Sequence, residues 1–566
     1  MFRLKWPTHP RWSLIASVGS LSVLVIIISA LGWLQPLEWF ALDQFFRLRK
    51  SQSIDPRILI VTIDEPDINY VGDWPLPDDT LAELLLKVSA ADPRGIGLDM
   101  YRNLPVGQGH ADLTKVFENT PILVGVEKVV GQPIGPPPGV DPERQVGMSD
   151  VVVDNDGRVR RALLLVITDD GEYKYGLATQ LAFNALEQEQ IYPSYVDEKR
   201  LQLGKATLRR FQKNDGGYAN ADDGGSQMLI NFPAGNTWFE TVSMTAVLEG
   251  KVPSEQIKNR IVLIGATAIS LNDFFYTPMS RVEEMPGVFV HAHIVSQLMG
   301  AAVDGRTLLH GVQPWGKWLW LVTSTFGAGL VFYVFIQQGK SYRRQNFLTI
   351  IWLVPCVGTS IIVLTYGLFT LGLWVPVVAP VLSASLLAVL LVLQQNQKLQ
   401  GLAAFDELTQ IPNRRSFDQF LQELITHQKS FTLVLCDVDY FKRYNDTYGH
   451  QDGDTCLRAI AQVLKQGVRQ SDLAARYGGE EFALVIKGPS ATVATEILTR
   501  IQAQLAELKI LHEASDVSTY VTLSFGVAVV EELKNTTPKA LIERADGALY
   551  KAKRKGRNQF FVSDVV

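Results

Sequence analysis

Residues 476–486 combine a glycine pair with two adjacent carboxylates, and this is the segment of the chain best suited to chemistry. Gly478 and Gly479 stand between two strand-like apolar runs, and Glu480 and Glu481 follow directly. Paired glycines in this setting predict a tight hairpin whose tip adopts a positive φ. A tip without Cβ atoms lets a large ligand approach the backbone, and neighbouring carboxylates can hold a hard cation against a phosphate. The segment therefore predicts a metal–nucleotide site on a β-hairpin.

A second pair of carboxylates, Asp437 and Asp439, comes at the end of a predicted buried strand, residues 431–438. Side chains two residues apart on a strand point to the same side. If this strand neighbours the hairpin, Asp437 can meet Glu480 or Glu481, and two or three carboxylates with substrate phosphates suit Mg²⁺. Taken singly, Asp437 could equally end a strand and the glutamates could be solvated.

The elements predicted around these residues define an α+β domain. Stripped of an opening helix, their order is βαββαβ with a terminal helix, which is the ferredoxin-like split arrangement. In that fold the first strand and the hairpin are neighbours in the sheet. The predicted elements are an opening helix within 406–428, a strand at 431–438, a helix at 452–467, strands at 472–477 and 481–487, a helix at 490–508, a strand at 521–530 and a helix at 538–555.

Length and composition narrow the class of protein. A chain of 566 residues is too long for one core, so several domains are expected. The net charge of −5 argues against a nucleic-acid partner, which calls for a strongly basic domain. Cys356, Cys436 and Cys456 have no paired spacing, so neither a disulfide framework nor a zinc site is expected.

Four uncharged apolar segments predict a multi-pass membrane protein. The predicted transmembrane helices are residues 12–34, 318–336, 347–366 and 371–393. A cleaved signal peptide is the alternative for the first, although its apolar core is long for one. Basic residues precede the first helix and fill the loop between the second and third: Arg3, Lys5, Arg11, Lys340, Arg343 and Arg344. The positive-inside rule then places residues 1–11 and the C-terminal part in the cytoplasm and residues 38–315 outside.

The outer segment alternates strand and helix patterns, which predicts an α/β domain with a largely parallel sheet. Strands are expected at 57–64, 95–99, 121–126, 160–168 and 260–265, and a helix at 79–90. Asp64, Glu65 and Asp99 follow predicted parallel strands, where ligands of open α/β sheets bind, or they simply cap helices. His291 and His293, at a predicted strand-to-helix switch, would bind a metal only on one face and with a third ligand.

The outer segment also carries motifs of a known sensor. Over residues 37–311 the chain resembles the second class of CHASE sensor domains, which implies an extracytoplasmic domain that binds an unknown ligand. The motifs are Asp43-Gln-Phe-Phe-Arg47, Ile63-Asp64-Glu65, Gly72-Asp-Trp74-Pro75, Gly97-Leu-Asp99, Gly265-Ala-Thr267, Asp273 before Thr277-Pro278, Pro286-Gly287-Val288 and His291-Ala292.

The C-terminal part has a more specific likeness. Residues 402–562 resemble the GGDEF diguanylate cyclase domain over its full length, with a signalling linker at 394–405 and the domain itself at 406–566. One departure is Gln410, where the family usually has glycine after the Asp406-Glu-Leu-Thr409 turn. The other matching motifs are Asp437-x-Asp439-x-Phe441-Lys442-x-x-Asn445-Asp446, Gly453-Asp454, Gly478-Gly479-Glu480-Glu481-Phe482, Ala545-Asp546 and Gly556-Arg557-Asn558.

This resemblance implies an active site and a reaction. Two GTP molecules would condense into cyclic di-GMP with release of two pyrophosphates, each protomer of a homodimer holding one GTP, at the bacterial inner membrane. The implied roles are metal binding (two Mg²⁺ or Mn²⁺ per site) by Asp437, the Val438 carbonyl, Glu480 and Glu481; catalysis by Glu480, Glu481 and Lys442; phosphate contact by Gly478, Gly479, Lys442, Lys553 and Arg557; and guanine recognition by Asn445 and Asp454.

The resemblance also implies feedback by the product. Arg469 and Asp472 occupy the position of the family's inhibitory cyclic di-GMP site, although a helix-end arginine paired with a strand-start aspartate is the simpler interpretation. Two other functions stay open: a catalytically silent receptor for GTP or cyclic di-GMP, and a nucleotide cyclase with other products.

Overall fold

The computed structural model describes residues 10–50, 53–168, 170–197, 199–234, 239–338, 343–402, 404–531 and 537–563. The chain divides into two compact units, Met1–Leu391 and Val392–Val566. Each unit is built around its own buried apolar clusters, as expected for a chain of this length.

The first unit mixes long apolar helices with three main sheets. Its helices, with α12 continuing into the second unit, are α1 (Pro10–Ala30), α2 (Gln35–Leu48), α3 (Glu65–Val71), α4 (Asp78–Ala90), α5 (His110–Asn119), α6 (Leu177–Glu187), α7 (Met244–Leu248), α8 (Ser254–Ile257), α9 (Gly287–Met299), α10 (Pro314–Gln338), α11 (Arg343–Thr370) and α12 (Val378–Leu402). Its strands are β1 (Ile58–Ile63), β2 (Gly95–Asp99), β3 (Leu123–Glu127), β4 (Val146–Met148), β5 (Val152–Val153), β6 (Val159–Ile167), β7 (Tyr173–Tyr175), β8 (Pro193–Asp197), β9 (Arg200–Leu203), β10 (Ala206–Arg209), β11 (Ser226–Leu229), β12 (Glu240–Ser243), β13 (Ile261–Ala266), β14 (Phe274–Phe275), β15 (Met285–Pro286), β16 (His310–Gly311) and β17 (Leu373–Trp374).

A parallel sheet in the order β12-β1-β13-β2-β3-β4 forms the centre of this unit. The pairings along it are all parallel. The central strands are apolar because helices cover both faces, which is the usual state of parallel sheets. The predicted α/β domain with a parallel sheet is therefore confirmed.

The strand predicted at 160–168 does not join that sheet. It forms β6, which pairs antiparallel with β11, β5 and β7 in a separate sheet. Its apolar run predicts a buried strand but not a partner, since strand composition carries no information on which strands pair. Arg160 and Arg161 at its start are buried because Asp43 and Asp154 accept their hydrogen bonds.

The long apolar helices agree in part with the four predicted transmembrane helices. Among the described residues, Pro314–Phe335 and Trp352–Thr370 are long and apolar enough to cross a membrane, and a third crossing is possible if the pair Leu14–Ala30 and Gln35–Leu48, bent by 85°, counts as one. Val378–Gln394 is apolar but shorter. The prediction that the fourth helix begins at residue 371 is wrong, because Leu373–Trp374 pairs with His310–Gly311 as extended chain.

Glu38 ties this extended chain and α12 to the rest of the unit. Its carboxylate is buried and accepts hydrogen bonds from the backbone N–H groups of Val377, Val378 and Ala379 at 2.8, 2.9 and 3.0 Å. A negative charge suits the N-terminus of a helix, whose first amides lack partners within it. The start of α12 is thus held by a side chain of α2.

The second unit contains one five-stranded sheet covered by helices. Its elements are α13 (Arg414–Thr426), β18 (Phe431–Val438), α14 (Phe441–Tyr448), α15 (His450–Gly467), β19 (Leu473–Gly478), β20 (Glu481–Lys487), α16 (Ala491–Glu507), β21 (Leu523–Val530), α17 (Pro538–Arg554) and β22 (Phe560–Val562). The sheet order is β19-β20-β18-β21-β22. The first four strands have the ferredoxin-like order, which confirms that prediction. The sequence reading missed α14 and the edge strand β22.

Candidate active site

The glycine hairpin forms as predicted between β19 and β20, which pair antiparallel. Gly479 has a φ of +28°, in the range that favours glycine. A Cβ placed on Gly479 would meet no atom within 4 Å. The tip is therefore bare, and it gives a ligand direct access to the backbone.

The central strand brings Asp437 to this hairpin. Asp437 lies opposite Glu481 in the β18–β20 pairing, and the N–H of Val438 donates to the Glu480 carbonyl at 3.4 Å. The expected convergence of the two neighbouring strands is thus observed. Because β18 is central in the sheet, its end is fixed by strands on both sides.

Lys553 of α17 completes this group of charges. Its Nζ lies 2.8 Å from Oδ2 of Asp437. Burial raises the pKa of Asp437 to about 6, Lys553 opposes that rise, and the charges of Glu480 and Glu481 add to it. The Lys553 charge favours the ionised form of Asp437. An ionised Asp437, with Glu480 and Glu481 nearby, can bind a further cation.

The side chains do not form a complete metal cage by themselves. Within the described ranges, no three His, Cys, Asp or Glu side chains are grouped closely enough to hold a metal ion. Mg²⁺, however, is usually held by one or two carboxylates together with waters and substrate phosphates. The donor set of Asp437, Glu480 and Glu481 fits that mode of binding and not a cage made by protein alone.

The residues expected near guanine lie on α14 and α15. A left-handed Gly449, φ +84°, joins these helices. The side-chain oxygen of Asn445 is buried and accepts no hydrogen bond from the described residues. Gly453 makes room for this oxygen, since a Cβ on residue 453 would lie 1.9 Å from it. Asp454, one residue later, is exposed.

The predicted phosphate contacts divide into two groups. Lys442 is exposed on α14 and Lys553 lies beside Asp437. Arg557 instead donates to the Tyr440 hydroxyl at 3.0 Å and stacks on that ring, 4.1 Å from its centroid. Arg557 therefore makes its contacts at Tyr440, and the carboxylate group has Lys553 as its cation.

Two further residues position the site, and this positioning role was not predicted for either from the sequence. Arg476 donates twice to the Gly479 carbonyl, at 3.0 and 2.7 Å, and pairs with Asp406 at 2.9 Å. It thereby fastens the tip to the turn in which Asp406 also accepts from Thr409. Its position two residues before the glycine pair was the only available signal.

Asp439 is the second of these positioning residues. Its buried carboxylate accepts from the hydroxyls of Thr522 and Ser524 and from the Asn558 N–H, at 2.7, 2.6 and 3.0 Å. These bonds tie the end of β18 to the segment after α17. Asp439 therefore stabilises the strand end on which Asp437 stands.

The Arg469–Asp472 pair forms a tight turn. The carboxylate of Asp472 accepts from the N–H groups of Arg469 and Lys487, both at 3.1 Å. The Arg469 residue is exposed. The contact joins the Asp472 carboxylate to the Arg469 backbone in a turn that begins β19, and the arginine side chain faces solvent.

The candidate ligands of the first unit behave differently from one another. Asp64 caps α3 in a reciprocal arrangement with Asp67, so the capping interpretation is correct there. Its neighbour Glu65 accepts from the N–H of Ser270 at 2.9 Å. His291 and His293 both lie inside α9 and not at a strand-to-helix switch. Two residues on a helix are about 200° apart around its axis, so the shared face that a metal site needs is absent for this pair.

The second unit is a ferredoxin-like sheet that sets carboxylates and a lysine beside a bare glycine tip. The first unit is an α/β domain with apolar helices, so the class defined is a multidomain α/β and α+β protein with apolar helices. The CHASE2 domain family matches residues 20–331, more than half of the chain, so the chain belongs to that family. The family "Diguanylate cyclase, GGDEF domain" matches residues 403–559. The chain is therefore a CHASE2-family protein whose C-terminal part matches the GGDEF domain model.

Individual relatives match over the GGDEF part. Diguanylate cyclase VdcA of Vibrio cholerae is 39% identical over 179 residues, 31% of this chain and 52% of that protein. Diguanylate cyclase A of Treponema denticola is 34% identical over 176 residues, 30% of this chain and 46% of that protein. The chain thus spans about half the length of these relatives. The coiled coil and GGDEF domain of DgcB from Caulobacter crescentus, solved with c-di-GMP, is 31% identical, with a TM-score of 0.29, and the match covers 32% of this chain and 97% of that one.

Proposed function

We propose that this protein is a membrane-bound diguanylate cyclase controlled by its CHASE2 domain. The observation that carries the proposal is the group formed by Asp437, Glu480, Glu481 and Lys553 beside the bare tip at Gly479. Several charged groups of both signs next to accessible backbone suit a polyphosphate substrate with its counter-ions.

In the proposed reaction two GTP molecules become cyclic di-GMP. The 3′-oxygen of one GTP forms a bond to the α-phosphorus of the other, the bond to the bridging oxygen breaks, and pyrophosphate leaves. The 3′-hydroxyl proton goes to Glu481, the exposed carboxylate at the tip. A second, equivalent attack closes the ring, so two pyrophosphates are released for each product.

The chain's own residues position the substrate. The Gly478–Gly479 backbone lies along the α- and β-phosphates, and Lys442 and Lys553 neutralise their charge. Asn445 and Asp454 hydrogen-bond the guanine edge. The buried, unpartnered oxygen of Asn445 supports this role, since a buried acceptor without a donor costs stability unless a ligand supplies one.

Magnesium or manganese, two ions per site, supplies positive charge that stabilises the developing negative charge on the phosphates. Asp437, Glu480, Glu481 and the Val438 carbonyl would hold these ions. Arg476 keeps the tip in place through the Gly479 carbonyl.

One chain holds half of the reactants, so the active form is a homodimer with two GGDEF domains facing each other. In this proposal α1, α10, α11 and the apolar part of α12, which begins at Val378, cross the bacterial inner membrane, with the CHASE2 domain outside and the cyclase in the cytoplasm. An extracytoplasmic ligand sets the dimer geometry through α12, whose start is fixed by Glu38. Cyclic di-GMP bound by Arg469 and Asp472 inhibits the enzyme, with the exposed arginine as the gripping side chain.

The test uses the full chain in detergent micelles with Mg²⁺ and GTP, with products identified by mass. Cyclic di-GMP is expected from the wild type, and Glu481→Gln should lower turnover by about a hundredfold or more. Glu496→Gln, a change at an exposed position of α16, is the matched control and should retain wild-type turnover. GTP binding without any cyclic dinucleotide would establish the silent receptor instead, and a different dinucleotide would establish another cyclase.

A further inference from the structure

A cavity lies in the CHASE2 part, and none of its lining residues belongs to a strand of the parallel sheet. It has a volume of about 740 Å³, within the range of small-molecule sites. Its walls come from the β6–β7 hairpin and β11, from the small sheet β10-β9-β8, and from α6 and α9. Nothing described above gives this cavity a role.

Aromatic side chains line the mouth of this cavity. Tyr173 and Tyr195 are 61% and 66% exposed, although both belong to regular strands. Deeper in, Tyr175 and Phe183 pack edge to face with centroids 5.5 Å apart. Exposed aromatic groups around a concave site mark a surface that binds apolar or ring-bearing ligands.

Thr179 supplies the first polar group of the cavity. It is 2% exposed on α6, and its hydroxyl has no hydrogen-bond partner among the described residues. Thr179 lies in the first turn of α6, where no carbonyl of the same helix stands four residues earlier. Its hydroxyl is therefore a polar group of the cavity wall that is not used within the helix.

Arg210 supplies the second polar group, which is positively charged. Its Nη2 donates to the Asp223 carbonyl at 3.0 Å, while its buried Nε has no partner in the described part of the chain. The acid that shares the lining, Asp197, is already paired with Arg200 at 2.8 Å and accepts from the Lys199 N–H. A half-buried guanidinium with an unused N–H favours a carboxylate ligand.

From these groups we infer that the cavity binds a small monocarboxylate with an aromatic body. The carboxylate accepts from Arg210, the ring packs among Tyr173, Tyr195 and Phe183, and a second polar atom of the ligand bonds to Thr179. This deepens the proposed sensory role of the CHASE2 domain and rests on it, but it does not depend on the cyclase reaction.

The probe is 4-hydroxyphenylacetate, titrated calorimetrically into the full chain in detergent without GTP. Its neutral analogue, 4-hydroxyphenylacetamide, has the same shape without the charge. We expect saturable binding of one acid per chain and affinity at least about tenfold lower for the amide. No saturable binding of the acid, or equal affinity for both compounds, would overturn the inference.

Two variants, each with a control, test the assigned contacts. Arg210→Met should weaken binding by about tenfold or more, and Thr179→Val by about three- to tenfold. Lys205→Met and Thr207→Val, neither of which lines the cavity, should bind like the wild type. Thr179→Val removes only an unpartnered hydroxyl, so folding should be preserved; thermal unfolding checks this. Unchanged affinity in both test variants would contradict the site. Because binding is read without GTP, failure here leaves the cyclase proposal intact.

Discussion

Asp437 and Asp99 occupy similar places in the two domains and have different surroundings. Each stands at or beside the last residue of a buried strand, β18 in the GGDEF part and β2 in the CHASE2 part. Asp437 has Lys553 at 2.8 Å and the bare glycine tip beside it. Asp99 is packed in the interior, where Nε2 of His291 lies 4.0 Å from its Oδ1 and its Oδ2 has no hydrogen bond from the described residues.

The difference shows what makes a strand-end carboxylate a site. Burial raises the pKa of Asp99 to about 7 and lowers the pKa of His291 to about 4. The two groups therefore do not form an ion pair near neutral pH, since the imidazole is uncharged there. Asp437 keeps a cation and an open approach for a ligand. The site is distinguished by a cation partner and by an opening among the surrounding side chains. The position at a strand end does not distinguish it, because both aspartates share that position.

The largest expected effect is on turnover when the Asp437 charge is removed. Asp437→Asn should lower cyclic di-GMP formation by about a hundredfold or more, because the amide is a poor ligand for Mg²⁺ and leaves the Lys553 charge unbalanced. The free energy of unfolding at pH 8 should not fall, because burial raises the pKa of Asp437 and its charge therefore disfavours the folded state, whereas asparagine cannot ionise. Initial rates and urea unfolding measure the two quantities.

Asp418→Asn, an exposed change on α13, is the control for this measurement. Asp99→Asn serves as the comparison between domains, because it removes an equally placed charge that has no proposed contact with GTP. Basal turnover within about twofold of wild type is expected for both. A large loss of turnover in Asp99→Asn would remove the distinction between the two aspartates.

The next largest effect is on the free energy of unfolding of the Asp99→Asn variant as a function of pH. A folded-state pKa of about 7 means that the folded state keeps a proton that the unfolded state releases near pH 4. The stabilisation from that proton is complete below about pH 4 and is lost as pH rises through 7. Asparagine cannot ionise, so the variant should gain about 2 kcal/mol over wild type between pH 5 and pH 8.

Other buried groups near Asp99 also change stability with pH. The quantity to measure is therefore the difference in free energy of unfolding between Asp99→Asn and the wild type at each pH. The pKa of Asp273 is also raised by burial, to about 6, and acts in the same direction. Burial lowers the pKa of His291 and His293 to about 4 and 3, and these shifts act in the opposite direction. The wild-type profile is therefore flattened, while the difference isolates Asp99. A difference independent of pH would show that Asp99 is ionised throughout.

The parts of the site that are local in sequence could be predicted, and those that depend on distant partners could not. The strand at 431–438 and the hairpin at 478–481 follow from runs of apolar residues and a glycine pair. The contacts of Arg476 with Asp406 and of Lys553 with Asp437 join residues far apart in the chain. No periodicity or turn signal specifies such pairs, because they depend on the packing of whole elements.

The first unit shows the same limit in its strands. Apolar runs located β1, β2, β3 and β13 correctly, and the alternation of strand and helix patterns predicted a parallel sheet. The same kind of run in β6 belongs to another sheet, where it pairs with β11 across an antiparallel register. In that sheet Arg160 is buried and paired with Asp43 and Asp154. The pair with Asp43 joins residues far apart in the chain, so no local sequence pattern indicates it.

The smallest predicted effect sharpens the guanine side of the site. Gly453→Ala places a Cβ 1.9 Å from the Asn445 side-chain oxygen, so the amide must move from the position proposed to contact guanine. The KM for GTP should rise about fivefold, with a smaller change in kcat, because the contact is made in both the ground state and the transition state.

Gly547→Ala on α17 is the matched control, since a Cβ there meets no atom within 4 Å. It should leave KM unchanged and add up to about 1 kcal/mol of stability through helix propensity. Steady-state kinetics on both variants separates loss of the Asn445 position from a general effect of alanine in a helix. Equal KM values for the two variants would mean that Asn445 does not contact the base, and guanine selection would then rest on Asp454.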